Sequence, residues 1–191
     1  MSSHKDYCPF CGKQYQECLC ETNLEYDYAI ILSEYDGMTR SGILSLKKAT
    51  SLNFAYFCGE QLGQKIMAHD RLQSCDLIVP VPMEKRKKWQ RIMQPSEKIA
   101  KEIVLATNIP MRNDILSDNG TGRSQHTLSA KERAKNISQF SICDIDLTGY
   151  RIILCDDVLT TGSTMNACAK LLKEKGAAEV AVVCPATTSL H

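Results

Sequence analysis

The run Arg151-Ile152-Ile153-Leu154-Cys155-Asp156-Asp157-Val158-Leu159-Thr160-Thr161-Gly162-Ser163-Thr164 changes chemistry twice within fourteen residues. Its first five residues are a continuous apolar strand-forming stretch of the kind buried in a parallel sheet. Two adjacent carboxylates follow, and then a cluster of small hydroxyl residues around Gly162. Downstream the spacing predicts a helix over 163–175 stopped by Gly176, and then a second buried strand over 179–184. Strand, loop, helix and strand make a βαβ unit, so the expected fold class is α/β, a parallel sheet flanked by helices.

Ligands of open α/β sheets bind beyond the carboxyl ends of the strands. A helix start there offers unpaired N–H groups and the positive end of the helix dipole, which suits a phosphate. Thr160, Thr161, Ser163 and Thr164 add hydroxyl donors, and Gly162 lets backbone approach closely. Asp156 and Asp157, just ahead of this nest, suit sugar hydroxyls or a hard cation such as Mg2+. The segment therefore reads as a site for a sugar bearing both a phosphate and vicinal hydroxyls. The plainer alternative is a polar turn in which Ser163 or Thr164 only caps the helix. Other phosphate motifs do not fit: there is no Gly-x-x-x-x-Gly-Lys-Ser/Thr loop, and Gly120-Thr121-Gly122 lacks a third glycine.

Working outward, a strand is expected near 26–32, a turn at Tyr35-Asp36-Gly37, and helices near 38–49 and 54–69, the second with Leu62, Ile66 and Met67 at helical spacing. The run 76–82 reads as a buried strand ending at prolines. A helix near 96–106, a strand near 111–116 and a turn-rich segment over 117–122 follow. Ser129-Ala130-Lys131-Glu132 has the form of a capping box. Asp144 and Asp146 read as turn residues, and His69, His126 and His191 as surface residues.

The chain has 191 residues, 43% hydrophobic and 24% charged, with a formal net charge of +1. That balance gives no global pull toward nucleic acid or membrane. No apolar stretch approaches the roughly 20 residues of a membrane-spanning helix, and the first ten residues lack the apolar segment of a signal peptide. No membrane insertion and a cytoplasmic location are expected.

Ten cysteines stand out. Cys58, Cys75, Cys143, Cys155, Cys168 and Cys184 lie among apolar neighbours and read as small core residues. Cys8, Cys11, Cys18 and Cys20 cluster in the polar start of the chain. Four thiolates so close together suit a closed, structural Zn2+ site, with free thiols or a redox pair as the alternatives. The expected organisation is a cysteine-rich zinc segment over 1–24 and one domain over 25–191. Residues 85–91 gather five cations around Trp89, the lone tryptophan. They suit single-stranded DNA, a phosphate ligand, or a solvated basic face with the indole folded inward.

Residues 156–164 resemble the phosphoribosyl pyrophosphate signature of type I phosphoribosyltransferases. The remainder resembles their ComF-like branch, associated with natural competence and DNA uptake. The matching features are the cysteine-rich start, Tyr35-Asp36-Gly37 before Leu46-Lys47-Lys48, and the run 76–82. Ser124-Gln125, Leu128-Ser129, Glu132-Arg133 and Asn136 follow in the same order. The resemblance implies that Asp156 and Asp157 contact ribose hydroxyls and help place Mg2+, and that Thr160, Thr161, Gly162, Ser163 and Thr164 cradle the 5-phosphate. It places Val81 and Pro82 on the pyrophosphate loop and Arg133 on a flap over 117–135. It implies transfer of ribose 5-phosphate to an acceptor, or a non-catalytic binder acting on single-stranded DNA with competence-machinery partners. The branch's usual Arg-Gly-Phe-Asn-Gln reads Arg91-Ile92-Met93-Gln94-Pro95 here, which leaves the acceptor open. Thr160 stands where purine-salvage relatives place an acid, which argues against hypoxanthine–guanine salvage.

Overall fold

The computed structural model describes residues 24–83, 93–119, 139–160 and 162–188. In chain order the elements are β1 (Tyr28–Glu34), α1 (Gly37–Lys47), α2 (Asn53–Met67), β2 (Leu77–Pro80), α3 (Pro95–Thr107), β3 (Leu116–Asp118), β4 (Phe140–Ile142), β5 (Arg151–Cys155), β6 (Val158–Leu159), α4 (Ser163–Glu174) and β7 (Glu179–Thr187). The main sheet runs β1-β7-β5-β2, with every neighbouring pair parallel. The expected α/β class and the expected positions of β1, α1, α2, β2, α3, β5, α4 and β7 are met within a few residues.

Strand periodicity splits the core into two layers. Leu77, Val79, Ile152, Leu154, Val180 and Val182 face Met165, Cys168 and Leu172 of α4 together with Leu116 and Phe140. Ile78, Ile153, Cys155, Ala181 and Val183 point the other way, onto Leu46, Leu62, Ile66, Ile99 and Ile103 of α1–α3. A sheet buried on both faces needs apolar residues at consecutive positions, which is what makes β5 continuous rather than alternating. Burying each of the Val, Leu, Ile, Phe and Met side chains among these stabilises the fold by about 1.5–3 kcal/mol. Across the second layer α2 and α3 approach closely: a Cβ on Gly59 would lie 2.1 Å from Glu102 Cβ.

Several expectations shift. Met111 makes only an isolated bridge to Ile78, and the strand begins later, at Leu116, pairing antiparallel with β4. Ser117 and Asp118 therefore sit in a strand rather than a turn. Between Met111 and Leu116, Arg112 grips Asp114 through two 2.7 Å bonds, where the chain bends over 113–115. Met67 is 43% exposed, because it lies about 100° around the helix from the buried Ile66. His69 is half-buried, edge-on to the Tyr28 ring with centroids 5.6 Å apart. Asp146 does serve a turn, its Oδ1 accepting the Thr148 N–H at 2.9 Å. Cys58, Cys75, Cys155, Cys168 and Cys184 are buried free thiols, and Cys143 is partly buried.

Among the described residues no helix is long and apolar enough to cross a membrane. Cys8, Cys11, Cys18 and Cys20, expected to hold zinc, lie outside the described residues, as do the basic stretch 85–91, Arg133 and the expected capping box at 129–132.

Candidate functional site

The two carboxylates sit at a break in the sheet. β5 and β6 pair with β7 in one continuous register, Cys155 opposite Val183 and Val158 opposite Ala186. The skipped positions are Asp156 and Asp157, alongside the part of β7 that holds Pro185, which has no N–H to donate. The Asp156 N–H still donates to Val183 O at 3.2 Å, so the ladder lapses at Asp157 before pairing resumes at Val158.

Asp156 Oδ1 accepts the Asp157 N–H at 2.8 Å. Burial, and secondly the negative charge of Asp157, push the Asp156 carboxyl well above the usual carboxylate range, while Lys47 acts in the opposite sense. Asp157 Oδ2 lies 2.7 Å from Lys47 Nζ, and the side chains are 16% and 24% exposed. That oxygen is buried and has no aligned hydrogen-bond donor. The contact is therefore an ion pair held by charge, outside hydrogen-bond geometry.

After β6 the chain enters α4 through Gly162, the N-cap residue, at φ 78°. A left-handed backbone at this position favours glycine. Glycine has no side chain, so the N-cap residue itself makes no side-chain capping hydrogen bond. The alternative in which Ser163 or Thr164 merely caps the helix is thus overturned: glycine fills the cap position, and the first-turn hydroxyls lie inside the helix.

The opposite wall comes from the end of β2. Val81 N–H donates to Cys155 O at 2.8 Å, extending the β2–β5 ladder by one bond. The Val81 carbonyl accepts from both Gln94 Nε2 and Ser96 Oγ, each at 2.8 Å. Gln94 Nε2 also donates to Ser96 Oγ at 3.1 Å. The start of α3 thereby clamps the loop that carries Pro82.

These walls enclose a cavity of about 270 Å3. Of the residues expected from sequence, Val81, Pro82, Asp156, Asp157, Thr160 and Thr164 line it. Gly162 and Ser163 stand at the helix start beside Thr164, outside the lining. Thr161 and Arg133 fall outside the described residues. Lys47, Met83, Gln94, Pro95, Ser96, Gln139, Phe140 and Val158 complete the wall without having been expected as site residues. The Leu46-Lys47-Lys48 motif was visible in the sequence, but its meeting with Asp157 depends on a crossover that local pattern does not reveal.

Among the described residues no group of three or more His, Cys, Asp and Glu is arranged to hold a metal. Asp156 and Asp157 supply oxygen donors alone, and the buried Asp157 Oδ2 has a coordination direction that no hydrogen bond uses. That donor set fits Mg2+, which keeps several waters and completes its shell with ligand oxygens.

Residues 96–189 match the phosphoribosyl transferase domain family. Over 113 residues the chain is 32% identical to DNA utilization protein YhgH of Escherichia coli K12, covering 59% of this chain and 50% of that protein. It is 30% identical over 115 residues to Competence protein F of Haemophilus influenzae, with the same 59% and 50% shares. The chain spans about half the length of the curated relatives it matches. Among solved structures, adenine phosphoribosyltransferase from Leishmania tarentolae is 12% identical with a TM-score of 0.48, over 89% of this chain and 94% of its own. The matched stretch runs from α3 through β7 and includes the whole 156–164 loop, so residues 96–189 form a phosphoribosyl transferase domain, in a chain similar to these two bacterial proteins.

Proposed function

We propose that this protein binds phosphoribosyl pyrophosphate with Mg2+ in the cavity at the end of β5 and transfers ribose 5-phosphate to an acceptor. One observation carries the reading: twin carboxylates, Thr160 with Thr164 of the first turn of α4, and the clamped 81–82 loop all line a single 270 Å3 space. The first turn of α4, with Thr160 and Thr164, takes the 5-phosphate through backbone N–H groups and hydroxyls. Asp156 and Asp157 accept hydrogen bonds from the ribose hydroxyls. The Val81–Pro82 loop takes the pyrophosphate end, and Arg133 is the cation that the family resemblance assigns to it. Mg2+, when bound, neutralises charge accumulating on the leaving pyrophosphate.

Breaking the bond from C1 to pyrophosphate leaves positive character on the sugar ring. An ionised Asp157 beside the ring stabilises that charge, as preorganised charge does at transition states. Gln139 and Phe140 of the β3–β4 side offer a polar amide and an apolar ring next to the incoming acceptor.

A second reading is favoured by the likeness to Competence protein F and to the DNA utilization protein. In it the same site binds phosphoribosyl pyrophosphate without turnover, in single-stranded DNA handling through 85–91 with competence-machinery partners. Zn2+ held by Cys8, Cys11, Cys18 and Cys20 belongs to both readings as a structural ion; the donor set of four thiolates fits it.

Incubation with Mg2+, phosphoribosyl pyrophosphate and a panel of bases and amines separates the two. Pyrophosphate release that Asp157→Asn abolishes supports transfer. Thermal stabilisation by the ligand without release supports the binder. Absence of both overturns the site.

A further inference from the structure

We propose that Lys47 is the resident counter-ion of the carboxylate corner, displaced from Asp157 by a divalent cation and then turned toward the anionic ligand that accompanies it. This rests on reading the corner as a metal and sugar-phosphate site, and extends it to a residue outside the matched domain of 96–189.

Lys47 closes the last turn of α1, and its neighbour Leu46 is fully buried, which fixes where the lysine stem emerges. Among the described residues lining the cavity it is the sole lysine or arginine. Its ammonium lies 2.7 Å from Asp157 Oδ2, the same oxygen that is buried without a hydrogen-bond partner. Two adjacent carboxylates against one ammonium leave the corner short of positive charge. A doubly charged cation competes for that oxygen on favourable terms. A contact held by charge alone also exchanges without breaking an aligned hydrogen bond.

Two consequences follow. Alone, a divalent cation must first evict the ammonium, so it binds weakly. When a phosphate-bearing sugar arrives with it, the freed ammonium gains a new partner within the cavity it already lines. Metal and anion therefore bind better together than apart, a coupling between ligands that is reciprocal. Lys47 is in this sense a positioning residue that sets the order of assembly.

The test uses the whole chain and the variants Lys47→Met, Lys47→Arg and Lys48→Met. Mn2+ alone is titrated calorimetrically, followed by phosphoribosyl pyrophosphate in excess Mg2+. Removing a unit charge beside a partly buried cation site changes affinity by about tenfold. Lys47→Met is expected to bind Mn2+ about tenfold tighter and the sugar phosphate about tenfold weaker. Lys47→Arg and Lys48→Met should stay near wild type for Mn2+. A merely structural defect does not tighten metal binding. If Mn2+ binds Lys47→Met and wild type equally, more weakly in the variant, or to neither, the counter-ion role is wrong. If Lys47→Met tightens Mn2+ while neither protein takes phosphoribosyl pyrophosphate, the counter-ion role stands and the substrate assignment falls.

Discussion

Replacing Asp156 with asparagine should stabilise the unliganded protein and weaken its ligand binding together. Burial and the adjacent Asp157 charge raise the Asp156 carboxyl well above its usual range, so ionising it works against the fold. Two carboxylates about 5 Å apart in an effective dielectric of about 20 repel by about 3 kcal/mol. The Lys47 ammonium and the partial opening of Asp156 to the cavity offset much of that. A net relief of about 1 kcal/mol remains, which raises Tm by about 3 °C for a chain of this size. The sign follows from linkage: a carboxyl raised in the folded state contributes stability that is fully present below the unfolded value of about 3.9 and is lost as pH rises through the folded one. The advantage of Asp156→Asn is thus expected to widen as pH rises from about 4 and then level off. Ribose hydroxyls lose a charge-assisted acceptor worth about 1.5–3 kcal/mol, so ligand saturating at about 100 times its wild-type Kd should give less than about half the wild-type thermal shift. Melting curves from pH 5 to 8, with and without Mg2+ and phosphoribosyl pyrophosphate, measure both effects. A lower Tm for the unliganded variant, or an undiminished ligand shift, would refute the reasoning.

Gly59→Ala should cost about 1–3 kcal/mol in chemical denaturation, since its methyl group would press into Glu102 across the α2–α3 contact; an unchanged midpoint would mean the helices stand further apart. Burial pushes the Cys58 thiol up to about 12 and the Cys75 thiol up to about 11. Among the described cysteines, iodoacetamide at pH 8 should therefore label the partly exposed Cys143 first and leave Cys58 unmodified in the folded state, as peptide mass spectrometry will show. Protein purified without added zinc should carry about one Zn2+ per chain, and Cys11→Ser should lower that content sharply in elemental analysis. Equal zinc in both would remove the thiolate assignment.

The sequence was most legible where one element dictates its own chemistry. Residues 151–155 announce a buried strand by being apolar at every position, and residues 156–164 carry donors and acceptors that make sense only beyond a strand end. The expected alternative of a simple side-chain cap failed because Gly162 takes the cap position, a distinction between neighbouring residues that composition does not make. Partnerships across the chain were less visible. β3 is three residues long, too short for periodicity to place, and its position is set by pairing with Phe140–Ile142. Lys47 and Asp157 meet because α1 and β5 end on the same side of the sheet. Gln94 lies in the segment where the family's usual run is absent, yet its amide holds the Val81 carbonyl at 2.8 Å. Such contacts depend on three-dimensional proximity, and a single sequence records only linear spacing.

The strand order β1-β7-β5-β2 also has a bearing on how the protein is made. Among the described strands of this order, the two that come first in the sequence flank the two that come later, so β1 and β2 are kept apart by β7 and β5. β1 must wait for β7 and β2 for β5, although β2 can already bond along its other edge through Ile78 to Pro110 and Arg112. A nascent chain stalled before β5 would thus expose an unpaired β1 and a β2 bonded along one edge alone, a state prone to aggregate.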